Sequence, residues 1–136
     1  MINRSLSLEE LEHKSWPAPP LDSTGLVRTV HALRKRPIQS LDPYELGRMI
    51  GQDVGLPWLL PLAVEILRDT AEEQAEEGFY DDALLTAVLT RSPETWRAMP
   101  DIASEVQGIL RVLKDVSLYV EDASQKFVDS IRTMHG

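Results

Sequence analysis

The sequence predicts an all-α fold, and three observations carry that expectation. Helix start and stop signals recur along its 136 residues, the alternating Val, Ile and Thr runs of strands are absent, and apolar residues fall at steps of four and three through the last third. The expected architecture is a single-domain bundle of about six to eight helices over residues 1–136, ending in a long C-terminal helix or helix pair. No repeat of fixed period and no Gly/Ser-rich linker divides the sequence.

Each element has a local cause. Ser7-Leu8-Glu9-Glu10 is a capping box, in which the serine oxygen accepts from a backbone N–H three residues on and the glutamate reaches back, so a short first helix starts there. Trp16-Pro17-Ala18-Pro19-Pro20 forbids a helix, because proline lacks the N–H and biases the preceding residue to extended geometry. Ser23 is the expected cap of a second helix with Leu26, Val27, Val30 and Leu33 on one face. Arg34, Lys35 and Arg36 then fall in its last turn, where the helix dipole favours cations, and Pro37 stops it. Asp42-Pro43-Tyr44-Glu45 sets an acceptor at the N-cap, proline at the first helical position and glutamate at the third, and a third helix presenting Leu46, Met49 and Ile50 runs to about Gln52.

Gly55 breaks that helix and Pro57 opens a fourth through about Asp69, with Leu59, Leu60, Leu62, Ala63, Ile66 and Leu67 covering most of its circumference. It should be the most buried helix. The stretch after it, Ala71 to Glu77, has good helix propensity but no apolar stripe, so it either extends the fourth helix or forms a polar loop. Asp81 or Asp82 is placed to cap a fifth helix holding Leu84, Leu85, Val88 and Leu89; Ser92-Pro93 starts a sixth with Trp96 and Met99, and Pro100-Asp101 begins another. From Ile102 the apolar positions 102, 106, 109, 113, 116, 120, 123 and 127 form a heptad-like seam, continued by Ile131 and Met134. As one helix this would be about 33 residues and about 50 Å long, with a bend near Gly108 or Ser117 as the alternative.

Composition narrows the function classes. With 43% hydrophobic and 26% charged residues the chain sits near the globular average. It has no cysteine, which removes disulfides, thiolate metal sites and cysteine nucleophiles. Glu9, Glu10 and Glu12 interrupt any signal-like apolar run at the start, and the longest apolar block, Leu56 to Leu67, is too short for the roughly 20 residues that cross a bilayer. A cytoplasmic setting is expected. The net charge of −8 argues against direct nucleic-acid binding, because phosphates demand a basic surface. Between Glu65 and Asp82 eight acidic residues face Arg68 alone, whereas Arg28, Arg34, Lys35 and Arg36 form a basic segment.

Catalytic patterns are missing. His13, His31 and His135 are far apart and none has metal-ligand spacing, so no metal or other cofactor is expected, and His31 reads as a structural histidine rather than an acid or base. Gly47, Gly51 and Gly55 recur every four residues, yet no strand precedes them and no Lys-Ser/Thr follows, so they read as helix-packing and helix-ending glycines. Glu72-Glu73-Gln74-Ala75-Glu76-Glu77 contains carboxylate pairs at i and i+4, which suit either a solvated acidic face or a docking surface for a basic partner.

Three segments together resemble the contact-dependent growth inhibition (CDI) immunity proteins of bacteria. They are Leu26-Val27-Arg28-Thr29-Val30-His31-Ala32-Leu33-Arg34-Lys35-Arg36-Pro37, then Ile50-Gly51-Gln52-Asp53-Val54-Gly55-Leu56-Pro57-Trp58-Leu59-Leu60-Pro61-Leu62-Ala63, and Phe79-Tyr80 leading into Leu84-Leu85-Thr86-Ala87-Val88-Leu89. The opening Ser7-Leu8-Glu9-Glu10-Leu11-Glu12 with Trp16 also fits, and the resemblance spans roughly residues 3 to 97. Its most specific piece is Gly51-Gln52 followed by Gly55-Leu56-Pro57. The chain departs from the family pattern at Asp81-Asp82-Ala83, where the family carries Pro-Gly-Asp, and matches it only loosely after Asp101.

The resemblance implies a non-enzymatic antidote that binds the C-terminal toxin domain of its cognate CDI system and blocks the active site or a surface the toxin needs. Many such toxins are nucleases, whose phosphate-handling sites are basic. Glu72, Glu73, Glu76, Glu77, Asp81 and Asp82 are therefore the expected toxin-binding residues. The rival reading is a helical adaptor or regulatory module that pairs with another helix or with itself through the C-terminal seam around Val116 and Val120; a third is an all-helical enzyme. Monomer and homodimer both remain compatible with the sequence.

Overall fold

The computed structural model describes residues 2–77, 83–113 and 118–135. Among these the chain is all-α, with eight helices: α1 Leu8–Glu12, α2 Gly25–Leu33, α3 Pro43–Gly51, α4 Leu56–Glu77, α5 Ala83–Leu89, α6 Pro93–Ala98, α7 Pro100–Val112 and α8 Leu118–His135, plus one 3-10 turn at Ile38–Ser40. Helix α3 packs on α5, α4 lies against α3, α5 and α7, and α8 closes the bundle over α5, α6 and α7.

Both capping boxes form. Ser7 Oγ accepts from Glu10 N at 3.3 Å and Glu10 Oε1 accepts from Ser7 N at 3.0 Å; Asp42 and Glu45 repeat the exchange at 2.7 and 3.0 Å. The cap of α2 is Thr24 rather than Ser23: Thr24 Oγ1 accepts from Val27 N at 3.2 Å, while the Ser23 N–H is committed to a turn, donating to Pro20 O at 3.0 Å. The Asp81 and Asp82 cap positions and the Phe79-Tyr80 pair lie outside the described residues.

Helix α4 is the hub. Leu59, Leu60, Ala63, Val64 and Leu67 are fully buried, and the burial of each Leu contributes about 2 kcal/mol. The acidic stretch extends this helix to Glu77, so the propensity of its Ala, Glu and Gln residues prevails once the buried turns before it supply the nucleus. The C-terminal seam is divided between two helices. Helix α7 ends at Val112, where Leu113 turns extended, and α8 begins at Leu118; Gly108 lies inside α7 and is not the break. Val106 and Ile109 of the first half and Val120, Ala123, Phe127 and Ile131 of the second are buried in the core, with Trp96 and Phe127 meeting edge to face at 5.1 Å. These seam residues pack inward within one chain, which disfavours the self-pairing adaptor; Val116 lies outside the described residues.

The basic segment behaves differently from its expectation. Helix α2 ends at Leu33, so the cations follow it instead of filling its last turn. Arg34 is fully buried: Nη1 donates to Glu12 Oε1 and Nη2 to the Lys14 carbonyl, both at 2.8 Å, and the guanidinium lies 4.1 Å from the Trp16 ring centroid. Trp16 in turn meets His31 at 5.0 Å, which accounts for the histidine structurally. Arg36 reaches Glu45 at 2.5 Å and the Ser40 carbonyl at 2.9 Å. Backbone bonds from Ile38 N to Leu6 O and from Gln39 N to Arg4 O, each 3.0 Å, fasten the N-terminal segment alongside.

A buried guanidinium held by a carboxylate, a carbonyl and an indole leaves each partner short when removed. Arg34→Ala should lower the unfolding free energy in urea by about 3 kcal/mol. Lys35→Ala, at an exposed neighbour, should change it by less than about 0.5 kcal/mol. Equal effects from the two would show that the buried ion pair does not hold the N-terminal region.

Candidate functional site

The candidate surface is the second half of α4 together with the flank of α7 that packs on it. Four of the six expected toxin-binding residues, Glu72, Glu73, Glu76 and Glu77, lie on the last two turns of α4; Asp81 and Asp82 lie outside the described residues. The apolar face that precedes these turns ends with Ala71, which is buried, so the charged turns continue directly from the packed part of the helix. Their backbone is positioned by the core instead of being a free loop.

The charges upstream of those turns are organised by ion pairs. Arg4 Nη1 and Nη2 both donate to the Glu65 carboxylate, which ties α4 to the N-terminal segment. Arg68, the lone cation of the acidic stretch, donates to Glu105 of α7 at 2.7 Å. It therefore pairs with a carboxylate outside the stretch, and Asp69 beside it in sequence is exposed. Among the described residues, Arg68 and Glu105 line a groove of about 410 Å³ together with Ala71, Gly108, Ile109 and Val112. Sequence reasoning missed this groove, because its walls come from residues 37 positions apart; the only local sign was a glycine within an otherwise good helix.

The elements carrying the family-like motifs serve the fold. Gly55 has φ +65, and a Cβ there would stand 2.6 Å from Leu8 Cδ1, so the left-handed turn and the close approach of α1 both require glycine. Arg91 clamps the same turn, donating to Asp53 Oδ1 at 2.7 Å and to the Gly51 carbonyl at 3.4 Å. Among the described residues no group of three or more His, Cys, Asp or Glu is arranged to hold a metal ion, and no helix is long and apolar enough to cross a membrane.

The Arg4 guanidinium, by its hydrogen bonds first and its charge second, holds the Glu65 carboxyl below its ordinary value. A carboxyl lowered on folding stabilises the native state above the ordinary carboxylate range, and that contribution is lost as pH falls through the lowered value. An NMR titration should place the Glu65 midpoint below the usual value of about 4.3, and Arg4→Ala should return it there. An unchanged midpoint in the variant would show that the pair does not persist in solution.

A family model described as CDI immunity proteins matches residues 10–106, from α1 into α7. No curated protein and no solved structure matches the chain. The matched span contains the Leu26–Pro37 and Ile50–Ala63 segments with their buried Arg34 and left-handed Gly55, together with Leu84 to Leu89, and leaves α8 outside it. The chain belongs to the family of CDI immunity proteins.

Proposed function

We propose that this protein is a cytoplasmic antidote that binds the C-terminal toxin domain of its cognate CDI system and neutralises it by occupying a basic surface, without catalysis of its own. The observation that carries the reading is the change of character along α4. Its first turns are buried in the core and its last two carry Glu72, Glu73, Glu76 and Glu77 as a continuation of the same helix. Such a surface has little backbone ordering left to lose on association.

The electrostatics favour a basic target. A toxin that cuts nucleic acid holds phosphates with Lys and Arg, and a one-sign acidic helix competes for those groups. Opposite potentials would raise the association rate steeply at low salt and reject acidic partners. The family match supports the role, and the burial of the seam residues Val120, Ala123 and Phe127 counts against an adaptor that pairs through α8.

Co-expression with the toxin domain encoded beside it tests the reading. The expected result is co-purification and rescue of growth, and lack of both would overturn it. Glu72→Lys with Glu76→Lys should slow association at least about tenfold at low salt and flatten its salt dependence. Association unchanged by the double reversal would remove these residues from the interface.

A further inference from the structure

We propose that this protein pairs with a second copy of itself, Leu21 of each copy entering a pocket beside α2 of the other. Leu21 is 95% exposed, so its own chain leaves it uncovered. It is nevertheless held in place: the Ser23 N–H donates to Pro20 O at 3.0 Å, Arg28 Nη2 donates to Leu21 O, and Pro17, Pro19 and Pro20 stiffen the connector before it. The pocket lies between α2 and the α3–α4 turn, with Trp16, Val27, Val30, His31 and Val54 among its walls. Val54 places it at the start of α4, the end opposite Glu77. Its volume is about 190 Å³. An apolar cavity of roughly 150 Å³ takes up a benzene molecule, so one leucine side chain fits. Trp16 is already fixed by the Arg34 guanidinium and the His31 ring, so this wall needs little ordering when the pocket fills.

Position and charge select a second copy as the occupant. Val27, 39% exposed at the pocket, precedes Arg28, which holds Leu21, so the leucine and the pocket adjoin on one side of the molecule. A two-fold axis beside α2 then lets each copy give its leucine and receive the other's, a contact that closes on itself. Two chains of net charge −8 repel unless they meet where acidic groups are scarce, and between His13 and Arg36 Asp22 is the one acidic residue. Among the described residues, Asp22, Lys14 and Lys35 have no ion pair within the chain, and the His31 side chain makes no hydrogen bond. Asp22 follows Leu21 and is exposed, so docking of the leucine brings an uncompensated carboxylate to the imidazole of His31 at the edge of the other copy's pocket.

Sedimentation equilibrium of the full chain, without any toxin, tests the pairing. The wild-type mass should rise from 15.3 kDa toward twice that value as the concentration goes from about 5 to about 500 µM. Leu21→Ser changes a side chain that has no packing to lose, so circular dichroism and Tm should stay as in the wild type while dimerisation weakens at least about tenfold. Val27→Asp alters the pocket instead of the leucine and should weaken dimerisation to a similar extent. Asp22→Lys should weaken it at least about threefold, with the larger effect at low salt. A wild-type chain that stays at 15.3 kDa throughout would overturn the proposal, as would a Leu21→Ser protein that dimerises like the wild type. Mass that climbs past the dimer would also overturn it, because reciprocal exchange about a two-fold axis ends at two copies.

Discussion

Burial of the first turns of α4 is the constraint on which the rest of the molecule depends. Leu59, Leu60, Ala63, Val64 and Leu67 are enclosed because α3, α5 and α7 each lay an apolar face on this one helix. A segment as short as the acidic half is marginal as an isolated helix in water, and it has no apolar stripe with which to pack. The buried half therefore serves as the nucleus from which the charged half propagates. The position of the candidate surface is a consequence of packing earlier along the same helix.

A second set of contacts fixes the N-terminal third. Leu8 rests against Gly55 where no side chain would fit, and Arg34 joins α2 to Glu12, the Lys14 carbonyl and the Trp16 ring. These residues belong to the segments that mark the family, so the family signature is chiefly a description of how this region closes. In the proposed antidote reading, the contacts that choose one toxin lie on other surfaces. The exposed parts of α4 and α7 meet that requirement, being held by the shared scaffold without forming its joints.

The legible parts of the fold were those governed by local chemistry. Ser7-Leu8-Glu9-Glu10 and Asp42-Pro43-Tyr44-Glu45 announced their helices because both partners of each capping bond lie within four residues. The cap of α2 was misplaced by one residue, since Ser23 and Thr24 have equivalent side chains and only the Pro20 turn separates them. Arg34 read only as one cation of a basic helix end, because its burial depends on Glu12 and Trp16, about twenty residues upstream. Helix or loop for the acidic stretch, and one helix or two at the C-terminus, were open because propensity does not report tertiary support. Of the candidate site, the acidic character was legible and the α4–α7 groove was not, because the Arg68–Glu105 pair and Gly108 come together only in the folded chain.

Hydrogen–deuterium exchange of the chain, free and bound to the toxin domain encoded beside it, tests the central claim most directly. The expected footprint is slowed exchange confined to the second half of α4 and the Glu105–Val112 side of α7, with the α1–α2 region around Arg34 unchanged. Protection centred on α2 and the α3–α4 turn, with α4 and α7 unaffected, would contradict the claim and place the toxin on the face that carries the family signature.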